Sequence, residues 1–298
     1  MLHSWLTLSI LTGTFFGIQS ILLKILSAHF EQTTILKYLF FIAGFVLLPL
    51  ALGQHLSLRF APFLGAFLIS LILNIFAYSL LLSALAKYPV SVIMPFVGLT
   101  PLFLTLSSYF ILGETITRLK FAGILLIVLG AFVLQLPHQD RSSKGWARLI
   151  NLKEKGIWFM VLVAFLWSIT ASVEKIAVQS SSPEFYGAAI HLSLGIAFLV
   201  LEFMRRRRPK AGLKPQVGVP WKLKRLLVLL GIVSALLALC QLTAIKMAFV
   251  TYVIAFKRAG VLISTLYAFL FLKEKNYIRT IGGTVLILLG SGILTIGF

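Results

Sequence analysis

The sequence predicts an all-α integral membrane protein with ten transmembrane helices, arranged as two inverted five-helix repeats. Three observations carry that prediction. The 298 residues are 59% hydrophobic and only 12% charged, where a soluble domain would carry about 25% charged residues. Apolar runs of membrane-spanning length follow one another along the chain. The second half also repeats the first at a fixed offset. Long runs with weak alternation argue against a β-barrel.

The spans follow in order, each of about 20 mainly apolar residues. The first is Ser4–Leu23. Its N-terminal flank lacks a basic leader and a small-residue cleavage site, so it is read as a retained helix. Thr34–Leu52 and Pro62–Leu82 come next. Pro89–Leu112 contains Pro95 and Pro101, which should loosen its helix. Leu119–Leu136 carries Gly123 and Gly130, seven apart and on one face. A polar connector, Pro137–Lys155, precedes Gly156–Ile176. Phe185–Met204 ends at "RRRR", which opens a second polar connector, Arg205–Lys222. Leu223–Ile245, Val250–Leu272 and Ile278–Phe298 complete the set.

The repeat is read by placing Glu114 on Glu274, an offset of 160. "SALAKYPVSVIMPFVGLTPLFLTLSSYFILGE" then lies over "TAIKMAFVTYVIAFKRAGVLISTLYAFLFLKE" without a gap. Gly123 meets Gly283, and Gly130 meets Gly290. Upstream the offset is 151, with Lys24 on Lys175 and Gly44 on Gly195. The change of offset falls in one basic loop. Each half therefore holds five spans. An odd number sends the halves through the membrane in opposite senses, the arrangement that supports alternating access around a central site. The expected units are residues 1–137, a basic connector 138–155, and residues 156–298.

The net charge of +19 would suggest nucleic acid in a soluble protein. Here the cations sit in loops, where they set topology and meet anionic lipid headgroups, so nucleic acid is not expected. Loops 138–155 and 205–222 fall on one face together with Lys24, Lys37 and Lys87. The positive-inside bias places that face in the cytoplasm and both termini outside. The expected location is the bacterial cytoplasmic (inner) membrane, crossed many times.

Two five-helix halves, an "LGE" or "LKE" turn after spans four and nine, and a glycine-rich fifth helix resemble the EamA-type drug/metabolite transporter superfamily. The resemblance covers nearly the whole chain. It implies that spans one to four and six to nine surround a substrate cavity, with the fifth and tenth packed behind.

Charged groups inside a span are functional candidates by default. Lys257 and Arg258 stand in "TYVIAFKRAGVLISTLYAFLF", on a polar sector shared with Thr251, Ser264 and Thr265. Their repeat mates are Val97 and Gly98, so the cationic pole belongs to one half. Arg grips a carboxylate or phosphate with two parallel hydrogen bonds, and Lys adds a point charge. The alternative is a structural ion pair with Glu174. The Lys-Arg pair is similar to one in the plastid phosphate-translocator branch, which implies phosphate contact by Lys257 and Arg258. Glu174 is a candidate counter-charge or proton site, and pairing with Lys175 near the helix end is its alternative. Gln19, Asn74, His191, Gln241 and Tyr252 are the neutral candidates for shaping the site. Interhelical hydrogen bonding is the plainer role for the amides, and a backbone carbonyl is the plainer partner for the histidine. Glu114 and Glu274 should pair or cap locally.

No cluster of His, Cys, Asp or Glu has metal-ligand spacing, and no cofactor or catalytic motif is apparent. Cys240 is alone, so no intramolecular disulfide forms. The expectation is therefore a secondary transporter for a small, anionic organic metabolite, not an enzyme. Export of amino acids or drugs, and a lipid-handling scaffold, are the alternatives. The partners expected are a small-molecule substrate and the lipid bilayer, with a homodimer as the assembly the sequence admits.

Overall fold

The computed structural model describes residues 4–53, 57–85, 87–88, 94–135, 155–206, 220–260, 262–263 and 277–296. Most of both basic connectors lies outside them, as do Ser264, Thr265 and Glu274. The described residues form helices and no strand. In chain order these are α1 (Ser4–Ser27), α2 (Gln32–Leu52), α3 (Phe60–Leu85), a 3-10 helix (Met94–Leu99), α4 (Thr100–Leu112) and α5 (Arg118–Gln135). Then come α6 (Lys155–Gln179), α7 (Pro183–Arg206), α8 (Trp221–Met247), α9 (Val250–Ala259) and α10 (Tyr277–Thr295).

Six of these, α1 to α3 and α6 to α8, are long and apolar enough to cross a membrane. The apolar stretches Phe96–Leu112 and Ile281–Thr295 are shorter. Phe45, Phe76, Phe110 and Leu288 point outward, although they are large and apolar. An outer surface of that kind suits lipid and not water. The protein is a multi-pass integral membrane protein.

Close packing in lipid depends on small residues, because lipid tails are as apolar as the helices themselves. The seam between α5 and α10 shows it. A Cβ on Gly123 would lie 2.9 Å from the Gly290 carbonyl oxygen, and one on Gly130 would lie 2.7 Å from that of Gly283. The two backbones touch where side chains would have held them apart. Helix α2 packs along α7 in a related way, with Gly44 against Leu192 and Gly195 against Phe41. Elsewhere α1 runs beside α8, α3 beside α6, α4 against α6 and α1 against α9.

The fourth span differs from a single helix over its expected length. Its described part is the 3-10 helix followed by α4, with Pro101 in the first turn of α4. Proline lacks an N–H, so residue 101 cannot close the helical bond to the carbonyl of Val97. The Thr100 hydroxyl donates to that carbonyl instead, at 2.6 Å.

The turn after α4 is set by Gly113, whose φ of 70° is left-handed. Gly113 donates its N–H to Tyr109, and Glu114 donates to Ser108 at 3.2 Å. Such a cap needs glycine at the left-handed position. It delivers Glu114 to the α8–α9 corner. There one carboxylate oxygen meets Lys175 Nζ at 2.6 Å, and the other accepts the N–H of Val250, the first residue of α9, at 3.1 Å. Lys175 also donates to the Ala248 carbonyl at 2.7 Å. Glu114 therefore both pairs and caps, but with partners far along the chain and not locally as expected, and Lys175 pairs with it and not with Glu174.

Candidate functional site

A cavity of about 250 Å³ opens at the centre of the helices. Its walls come from α1, α2, α3, the 3-10 helix, the start of α4, and α6 to α9. Among the described residues, none from α5 or α10 reaches it. One part of the wall is apolar, built from Leu23, Leu36, Leu39, Leu81 and Leu194. Polar and aromatic side chains, among them Gln19, Asn74, Tyr78, Trp167 and Glu174, share the remaining wall with further aliphatic ones.

Seven of the eight residues singled out in the sequence meet here: Gln19, Asn74, Glu174, His191, Gln241, Lys257 and Arg258. Tyr252 is the correction. It is 3% exposed and packs among Ile124, Ile127, Val128 and Leu294, away from the cavity. Five residues separate it from Lys257, about 140° around a helix at 3.6 residues per turn. Thr251 is on the same side of the helix as Arg258 but two turns away, where α4 covers it and its hydroxyl lies 3.1 Å from that of Ser108. The cavity face of α9 is therefore Ile254, Lys257 and Arg258.

The cations have unusual partners. Lys257 Nζ donates to Gln241 Oε1 at 2.8 Å, and Arg258 Nη2 donates to Thr100 Oγ1 at 2.9 Å. Both acceptors are neutral. The Arg258 Nε is buried and has no hydrogen-bond partner among the described residues. Its guanidinium lies 5.5 Å from the Phe16 ring and 6.0 Å from the Trp167 ring, and Lys257 is also 5.5 Å from Phe16. Those aromatic faces favour positive charge. Glu174 belongs to the same cavity, near Asn74, Tyr186 and the charge of Lys257. It forms no ion pair within 4.0 Å with either cation among the described residues.

The neutral candidates divide by role. Gln19 donates to Ser234 Oγ at 2.8 Å and ties α1 to α8. Asn74 donates to Ser70 Oγ at 3.4 Å, and Ser70 lies 2.7 Å from the Tyr186 hydroxyl. His191 Nδ1 donates to the Gly187 carbonyl one turn back, at 2.7 Å. Its ring sits 5.8 Å from that of Phe40, its repeat mate.

The pattern of the EamA-like transporter family matches residues 3–136 and again residues 154–296. The chain belongs to the EamA-like transporter family. A protein described as an uncharacterized transporter, from Methanothermobacter thermautotrophicus, is 29% identical over 223 residues. That match takes in 66% of this chain and spans 64% of the relative's length. A solved crystal structure superposes with a TM-score of 0.78 over 99% of this chain and 97% of its own, at 16% identity. At that identity the likeness speaks for the fold.

In this EamA-like transporter the sequence reading missed Thr100, Phe16 and Trp167 as cavity residues. Thr100 carried a signal, since a hydroxyl directly before Pro101 is well placed to take the carbonyl that proline leaves open. Phe16 and Trp167 carried none, because an aromatic residue in a span reads equally as lipid contact.

Proposed function

We propose that the chain is a secondary transporter that carries a small organic metabolite with a carboxylate or phosphate group. One observation carries the reading. Among the described residues, two cations share a central cavity and donate to neutral oxygens, one guanidinium nitrogen has no partner, and Glu174 lies in the same cavity without a direct ion pair to either. A buried charge without a counter-charge is costly. An anion from solution relieves that cost, and its two oxygens match the fork of Arg258. The phosphate contact implied by the Lys-Arg pair is compatible with this geometry.

The mechanism we infer is alternating access between two inverted five-helix halves, residues 1–137 and 156–298, joined by the basic connector 138–155. The packing supports it. Exchanging the halves turns the α1–α8 contact into the α6–α3 contact, and α4–α6 into α9–α1, and all four are present. The glycine contacts between α5 and α10, and between α2 and α7, exchange onto themselves. The charge bias supports a cytoplasmic position for the basic loops.

The presence of Glu174 in the same cavity favours a second reading, a zwitterion whose ammonium faces Glu174. A thermal-shift screen of the purified protein separates the two. It would compare anionic, zwitterionic and cationic metabolites. Stabilisation by anions, lost in Lys257→Ala/Arg258→Ala, is expected. Equal stabilisation in that double variant would sink the site assignment. Selective stabilisation by zwitterions, lost in Glu174→Gln, would favour the second reading.

A further inference from the structure

Thr100 stands where a break in the backbone meets the cationic pole. Its hydroxyl carries one proton, which is committed to the Val97 carbonyl that Pro101 cannot serve. The oxygen is left as an acceptor and takes Arg258 Nη2. One side chain from the first half thus ties the 3-10 helix Met94–Leu99 to the cation of the second half. Thr100 is 2% exposed and Arg258 is 7% exposed, so water competes little for this contact.

The contact is incomplete in a telling way. Nη2 and Nε form one edge of the guanidinium, spaced to meet the two oxygens of a carboxylate or phosphate. A single hydroxyl oxygen fills only Nη2, and Nε stays buried without a partner among the described residues. Phe16 and Trp167 flank the group, which restrains it from swinging away. An exchange of partner along that edge can therefore occur nearly in place.

We propose that Thr100 is a positioning residue that stands in for substrate: it holds Arg258 in the unloaded carrier, and a two-oxygen anion displaces it. Displacement breaks the polar tie between the start of the fourth span and Arg258 while the packing of the 3-10 helix on α6 stays, so occupancy of the site is passed to the fourth span. The proposal rests on the anion reading above and names how that same site communicates.

The test uses the full-length protein in detergent with inorganic phosphate as the probe. Binding is measured by titration, and amide exchange over residues 94–101 by mass spectrometry, with and without phosphate. Thr100→Val removes a competitor that makes one hydrogen bond to a charged group and should tighten phosphate binding about tenfold or more. In the wild type, phosphate should raise exchange over 94–101. In Thr100→Val that phosphate-dependent rise should vanish, and Thr100→Ser should restore it. A residue that served only to satisfy Val97 would leave the phosphate-dependent rise in place. If Thr100→Val does not fold, Thr100→Ala carries the same two readouts. Phosphate binding that requires Arg258 but is unchanged in Thr100→Val overturns this inference alone. A wild type that binds no phosphate at millimolar concentration, or binds it equally in Arg258→Ala, overturns the anion reading and this inference together.

Discussion

Glu114 accepts an ammonium and a backbone amide with one carboxylate. The group that delivers it is Gly113, and the two residues should fail differently. Gly113→Ala meets no atom within 4 Å, so its cost is backbone strain alone. We expect about 1–2 kcal/mol, read as a modest fall in the thermal midpoint. Glu114→Gln leaves Lys175 nearly buried without its counter-charge. Removing one partner of a buried pair costs about 3–5 kcal/mol. The side chains keep 12% and 5% exposure, which favours the lower end. The larger midpoint loss should belong to Glu114→Gln, and Lys175→Met added to it should recover part. An unchanged midpoint in Glu114→Gln would show that the pair contributes nothing. The "GE" turn was legible in the sequence as local structure. Its partners were not, because Lys175 and Val250 approach it only through tertiary packing.

At the scale of elements, the glycines separate into two kinds. Gly130→Ala would drive a methyl into the Gly283 carbonyl, and backbone cannot yield as a side chain does. Gly65→Ala meets nothing within 4 Å. The first should lower the thermal midpoint markedly, and the second should leave it nearly unchanged, with stability within about 0.5 kcal/mol of the wild type. Equal midpoints would contradict the close approach of α5 and α10. The glycine spacing showed in advance that one face of each helix was small, and the helices meet on those faces. The interruption of the fourth span was half legible. Pro95 and Pro101 announced a weakened helix, but the partition into a 3-10 helix and α4 depends on which donor takes the Val97 carbonyl. Tyr252 was misplaced, and Thr251 shares the polar face of α9 yet lies under α4, for a related reason. A polar stripe marks a face that avoids lipid, yet a neighbouring helix hides it as well as a cavity does.

For the whole molecule, orientation is the property that charge counting addresses most directly. With Cys240 replaced by Ala, a cysteine at Ser57 should react with a membrane-impermeant maleimide added outside intact cells. A cysteine at His29 should react only after permeabilisation. The reverse pattern would invert the proposed topology. The general plan of the fold was readable because a repeat compares the sequence with itself and needs no knowledge of packing. The cationic pole was readable because charge in a span is rare. The neutral acceptors that hold it were less so, since Gln241 and Thr100 look like the many other polar residues that join helices.

The seam between α5 and α10 also bears on how the two halves can change. A side chain added to a glycine of this seam meets a backbone carbonyl of the facing helix, and no change of the facing residue removes that oxygen. Gly123, Gly130, Gly283 and Gly290 are bound by that condition. Val97 and Lys257, or Gly98 and Arg258, are repeat mates with no such requirement, because each faces different neighbours. Change is therefore open to either half at the cavity wall, while the rear of the molecule is held to glycine by contact with backbone. A chain built this way can acquire a charge on one side only and keep its architecture.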